Sequence, residues 1–352
     1  MQMFKTFLGL FLVFLFLTSI MSCKNEDSDD DTIPITTIDK QGGVFKLGQL
    51  EIIFPENSVS EEIIIGGSIE EIVGIPENLT QISAIHKIDI SNPSAYLPNS
   101  ATIGINHNDD NEVISLFVSN DGIIWTNLGG FIHEEKIKAE IPHFSYFFAG
   151  NATYSITVEN NSIESESLYI YQYDELISNI GNIFPVVMMS ATIPSFVTSR
   201  FDWIENFIFW SSTGQLVEGD TITTDNILNA DQTTNNLVTL TNQNDSYILQ
   251  SEGAGQVPGQ LIIQVSGNIP ISTVICGIGY QDMPTYAVEA LPNSSIVFNP
   301  TSDEYFIGLG NMVAGQLLNP SVQPSADIEF PSGMYNANVV MTNSQDFTIS
   351  YY

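Results

Sequence analysis

The chain is poor in positive charge. Its 352 residues include 8 Lys and Arg against 41 Asp and Glu, a formal net charge of −33. Nucleic-acid binding needs cations set against phosphates, so DNA and RNA are excluded as partners. Charge-driven docking on anionic lipid is disfavoured for the same reason. Histidine is also scarce. His86, His107, His133 and His143 are scattered, with no His-x-His or Glu-x-x-His spacing, so neither a zinc site nor any other cofactor is expected. There are two cysteines, Cys23 and Cys276. Charged residues make up only 14% of the chain, whereas hydrophobic residues make up 43%. Such a chain is too apolar to be a disordered acidic tail, and its length suits two domains of ordinary size.

Residues 1–22 read as a signal peptide. Lys5 supplies the positive start, and the apolar run from Phe7 to Leu17 is short for a membrane span. Ser19-Ile20-Met21-Ser22-Cys23 follows. This segment resembles the lipobox of bacterial lipoproteins, although Met21 is unusual there. The resemblance implies acylation of the Cys23 thiol and an anchor in outer-membrane lipid. Lys24-Asn25-Glu26-Asp27-Ser28-Asp29-Asp30-Asp31 reads as a solvated acidic tether, assigned to residues 23–35. Placed directly after a lipid-bearing Cys, it resembles the export tag of Bacteroidetes lipoproteins. That implies a surface-exposed location on the cell outer membrane. With Cys23 acylated, Cys276 has no disulfide partner. In the apolar run Thr273-Val274-Ile275-Cys276-Gly277-Ile278 it reads as a small buried hydrophobe.

The rest of the chain predicts an all-β fold of two tandem β-sandwich-like domains, residues 36–150 and 151–352. The candidate strands are short, rich in Ile, Val, Thr and aromatics, and bounded by Asn, Asp, Gly and Pro. Leu50 to Phe54 should stop at Pro55. Ile114 to Val118 and Ile123-Ile124-Trp125 should form a hairpin across Asp121-Gly122. Ser246 to Gln250 and Gln260 to Val265 flank a Gly-rich turn. Helical periodicity is weak everywhere, the best of it around Glu175–Ile180. The domain boundary falls at Gly150-Asn151-Ala152-Thr153, where turn residues separate two strand-like runs.

In the first block, Gly42-Gly43-Val44-Phe45, Leu50-Glu51-Ile52-Ile53-Phe54-Pro55 and the closing His143-Phe144-Ser145 stand out. Together they resemble a ZU5-type β-sandwich, with Glu56-Asn57-Ser58 departing from the usual Pro-Gly-Ala. His143, Phe144 and Ser145 carry one catalytic alternative. In some relatives the Phe-Ser bond cleaves itself, the Ser hydroxyl attacking the preceding carbonyl with a His as base. The competing reading packs Phe144 in the core and turns His143 and Ser145 outward. Asn106-His107-Asn108-Asp109-Asp110-Asn111-Glu112 could offer oxygens to Ca²⁺ but lacks the spacing of a dedicated loop, so it reads as a solvated turn.

The second block runs from Tyr154-Ser155-Ile156-Thr157-Val158 through Leu168-Tyr169-Ile170-Tyr171, Gly277-Ile278-Gly279 and Phe298-Asn299-Pro300 to Glu304-Tyr305-Phe306-Ile307. It resembles the RhiA-like proteins over nearly its whole length, a likeness that implies no catalytic residue. The block has no His, one Cys and one cation, Arg200, so Ser-His-Asp, His-metal and Schiff-base chemistry are unavailable within it. Its acidic residues form no obvious glycosidase pair. The aromatic segment Phe201–Trp210 is apolar on both strand faces and reads as core. The expected function is therefore that of a non-catalytic cell-surface lipoprotein, not an enzyme, that binds an extracellular protein, glycan or envelope component. The alternatives are self-cleavage at Phe144–Ser145 and a membrane-active β-protein.

Overall fold

The computed structural model describes residues 34–352 except 72–74, 107–113, 134, 173–182, 205–206, 231, 233–234, 256, 258, 301–303 and 323, and except the side chains of residues 131–133. The signal segment, Cys23, nearly all of the tether, the Glu175–Ile180 segment and all of the Asn106–Glu112 stretch but Asn106 lie outside the described residues. So does the side chain of His133. The described elements are strands, apart from one 3-10 turn at Pro93–Ala95, so the fold is all-β as expected. The described residues form one compact unit.

The strands make five sheets. One runs Ile35–Ile38, Ile63–Glu70, Ile85–Ile90, Tyr146–Asn160, Asn336–Met341, Phe347–Tyr351. Its long central strand, Tyr146–Asn160, also pairs with Leu79–Gln81, Ser115–Ser119 and Thr198–Ile204. Facing its first half is a sheet ordered Phe131–His133, Lys136–Glu140, Thr102–Asn106, Leu50–Phe54, Gly43–Leu47. The core between them holds Ile65, Ile88, Val118 and Phe147 against Phe45, Ile52, Ile103 and Ile137. Gly42 (φ +81°) has to be glycine here, because a Cβ would lie 2.1 Å from the Phe54 carbonyl at the end of the neighbouring strand.

The second half of the long strand belongs to another core. There Tyr154, Ile156, Trp203 and Val339 meet Leu168, Ile170, Ile307 and Ile328 of the sheet Val187–Ile193, Glu166–Tyr171, Glu304–Leu309, Ala326–Glu329. Phe117, Trp125 and Phe148 reach into the same core, so residues from both sequence blocks share it. A third core lies between the sheet Phe184–Pro185, Met283–Glu289, Val274–Tyr280, Phe207–Thr213, Asn226–Asn229 and the sheet Ser246–Gly253, Leu237–Gln243, Leu261–Val265, Ser295–Phe298. The second block thus has one two-sheet core of its own and shares another with the first block.

Three local expectations are corrected. Gly150 to Thr153 is not a turn, because one strand runs unbroken from Tyr146 to Asn160. Gly150 is small for packing: a Cβ would stand 2.3 Å from the Thr80 carbonyl and 2.7 Å from the Phe148 ring. Phe201–Trp210 is not one strand. Thr198–Ile204 pairs with the long strand, whereas Phe207–Thr213 pairs with Val274–Tyr280 in a different sheet. Ser246–Gly253 and Leu261–Val265 flank the Gly-rich link as expected, and they do not pair with each other. Each pairs with Leu237–Gln243 instead, the second in parallel. The expected hairpin at Asp121-Gly122 forms, but its second strand starts at Thr126. The Asp121 carboxylate accepts the amides of Ile123 (2.8 Å) and Ile124 (3.0 Å), which removes them from the ladder. Those bonds hold the Asp121 carboxyl below the usual range.

Candidate functional site

The residues singled out by sequence fall in separate places. Phe144 packs into the first core, stacked on Phe54 (centroids 5.8 Å, 14°) and edge-on to Tyr96 (4.6 Å). His143 and Ser145 are half-buried, not turned fully outward. The Ser145 carbonyl accepts the Ile88 amide at 2.7 Å, which ties the segment to a neighbouring strand. His143 Nδ1 is buried without a hydrogen-bond partner. Residues 142–146 have no positive φ, so the backbone there carries no left-handed strain.

His86 lies elsewhere. It is fully buried, both ring nitrogens lack partners, and burial pushes its pKa down to about 4. Cys276 is also fully buried. Its thiol pKa is pushed up to about 12, so it is a packed hydrophobe and not a nucleophile. Among the described residues, no group of three or more His, Cys, Asp and Glu could hold a metal. Phe201, Trp203, Phe209 and Trp210 are buried core, as expected.

A groove of about 360 Å³ opens in the second block, lined by Glu218, Met312, Leu317, Leu318, Asn319 and Val322 among others. Backbone bonds join its two walls. The Gly219 amide donates to the Leu317 carbonyl (3.0 Å), and the Leu317 amide donates to the Asp220 carbonyl (2.9 Å). Leu318 is fixed to Pro185 in the same way (2.9 Å). Beneath lie Tyr169, Tyr171 and Phe306, ring to ring at 5.6 Å, with Met312, Leu318 and Val322 packed on them. Burial raises the Tyr169 pKa. Gly308 makes room for this aromatic cluster, because a Cβ there would come within 2.1 Å of the Tyr169 ring. At the rim, Asn319 Nδ2 donates to Glu218 Oε2 at 2.8 Å. The lining holds one carboxylate and no His or Cys. It can seat a small apolar group beneath a polar cap, but it presents no acid–base pair. Nothing in the sequence joined residues 218–219 to 312–322, which are neighbours only in space.

These sheets define an all-β protein with a groove in its second block. Residues 151–352 match the RhiA family, and the chain belongs to it. It is similar to Protein RhiA of Rhizobium leguminosarum bv. viciae, 26% identical over 208 residues, which cover 57% of this chain and 88% of that relative. The groove lies wholly within the matched segment.

Proposed function

We propose that the chain is a non-catalytic, surface-exposed lipoprotein of Bacteroidetes type that binds an extracellular protein, glycan or envelope component. In this reading Cys23 carries the acyl anchor in the outer membrane. Residues 36–150 form a ZU5-like sandwich that positions the second block. The observation that carries the binding role is the groove with its apolar Met312, Leu317, Leu318 and Val322 lining and its Glu218–Asn319 rim. The apolar run ending in Ser19-Ile20-Met21-Ser22-Cys23 supports the anchor, and the acidic run behind it supports the surface location.

A screen of glycans, lipids and envelope proteins against residues 34–352 tests the binding role. A groove ligand should lose affinity when Val322→Arg fills the site, whereas turnover of a substrate without saturable binding would count against the proposal. Labelled fatty acid fed to cells should enter the wild-type chain and not Cys23→Ser. Self-cleavage is tested apart from both. On a denaturing gel the chain should run as one full-length band, and a fragment beginning at Ser145 would replace the packing role of Phe144 with autoproteolysis.

A further inference from the structure

The end of the long strand remote from the first block carries an unusual turn. Pro194-Ser195-Phe196-Val197 links Val187–Ile193 to Thr198–Ile204, and at its tip Phe196 has φ +60°. A bulky aromatic side chain is disfavoured in that backbone region, and such strain persists only where the surroundings hold it. Phe196 is nevertheless 69% exposed. Beside it Ile163 is 72% exposed and Val197 42%.

The holder is Asn160, fully buried at the end of the long strand. Its carbonyl accepts the Phe196 amide (2.7 Å) and its amide donates to the Val197 carbonyl (3.0 Å). Its Nδ2 donates to the carbonyls of Ile193 (2.9 Å) and Glu164 (2.9 Å), and its Oδ1 accepts the Ser162 amide (3.0 Å). Ser195 Oγ donates to the Ser162 carbonyl (2.6 Å), and Asn343 Oδ1 accepts the Ile163 amide (2.8 Å). Two loops are therefore locked together to hold three apolar side chains in water. Carboxylates lie close by in the chain: Glu164 in the Ile163 loop, Glu166 at the start of the strand that follows it, and Asp346 in the turn whose Asn343 holds Ile163. Arg200, nearby in the next strand, is engaged by Asp202 at 2.7 Å.

We propose that Phe196 with Ile163 is a docking anchor for a partner protein offering an apolar socket ringed by Lys or Arg. Three observations choose this occupant. A backbone held in one conformation lowers the entropy cost of entering a shaped socket, whereas a fluid bilayer gains nothing from a fixed direction. These carboxylates and the net charge of −33 repel anionic lipid and a second copy of this chain. An aromatic at the centre of a polar rim is the usual form of an interface anchor. The inference deepens the binding-module reading but uses a surface distinct from the groove.

The test places a photo-crosslinking amino acid at Ile163 of the full-length chain in its own cells. A single protein adduct is expected. Identified by mass and purified, that partner should bind Phe196→Gly at least about tenfold more weakly than wild type. Glycine accepts the positive φ, so this variant keeps the turn. Binding should also weaken as salt rises to about 0.5 M, and it should be unchanged in Val322→Arg, which separates this surface from the groove. Adducts only to lipid, carbohydrate or a second copy would overturn the proposal. So would the absence of any adduct, equal affinity of Phe196→Gly, or indifference to salt.

Discussion

The indole of Trp210 lies against the bare Cα of Gly277, its cross-strand neighbour, and its Nε1 donates to the Ile278 carbonyl at 2.9 Å. A Cβ at Gly277 would stand 1.8 Å from the Tyr286 carbonyl and 2.9 Å from the indole. Neither the backbone nor a fully buried ring can step aside, so the strands themselves would have to separate. Gly277→Ala should cost about 3 kcal/mol, at the severe end of overpacking. Denaturant unfolding followed by fluorescence reads this as a lower midpoint with an unchanged slope. Gly104→Ala is the control. Its nearest neighbours are Lys side-chain atoms at 3.4 Å and beyond, and the cost should stay within about 1 kcal/mol.

The Asn160 clasp makes a paired prediction. Asn160→Ala leaves buried carbonyls without donors and should destabilise the chain by about 3 kcal/mol. Phe196→Gly removes an exposed ring and relieves a strained φ, so it should leave the melting temperature unchanged or slightly raised. Thermal melts of the two variants check this. A large loss of stability in Phe196→Gly would mean that the ring packs against the fold and is not held free in solution.

How much of this was legible depends on the kind of signal. Leu50–Phe54 ends at Pro55 as read, because proline cannot continue the ladder. The burial of Cys276 and Trp210 was legible from apolar runs. The unbroken strand through Gly150 was not, because a glycine that yields space to Thr80 looks in sequence like a glycine that turns the chain. Nor was the division of Phe201–Trp210 between two sheets, because alternation reports faces and says nothing of which sheet a strand joins. Of the candidate sites, His143-Phe144-Ser145 was visible as a motif, whereas the groove depends on residues about a hundred positions apart. Phe196 left one trace, a bulky aromatic in a short turn after Pro194, and a single apolar residue in a loop forms no pattern.

Cys276 sits between Ser211 and Val288 in the sheet, fully buried, with its thiol pKa pushed up to about 12. Thiolate is the reacting species, so a disulfide reagent at neutral pH should find no reactive thiol in folded residues 34–352. Adding denaturant should release one reactive thiol per chain, at a rate that follows unfolding. Fast labelling of the native protein would mean that the third core opens locally.

His86 is buried and neutral, with its pKa lowered from 6.5 to about 4 by desolvation. A histidine depressed in the folded state stabilises the fold above its unfolded pKa. That stability is lost as pH falls from about 6.5 towards 4, because the unfolded chain takes up the proton first. A shift of this size corresponds to about 3 kcal/mol over that window. Glu51 adds in the same direction at lower pH. Its hydrogen bonds with Lys136 and then Lys46 (3.0 Å) hold its pKa down, and protonation removes them. Unfolding free energies measured between pH 7.5 and 4 should therefore fall, and His86→Phe, which titrates nowhere in that range, should flatten the decline. If the variant loses stability as steeply as wild type, the acid sensitivity belongs to other groups, and His86 is protonated in the fold more easily than its burial implies.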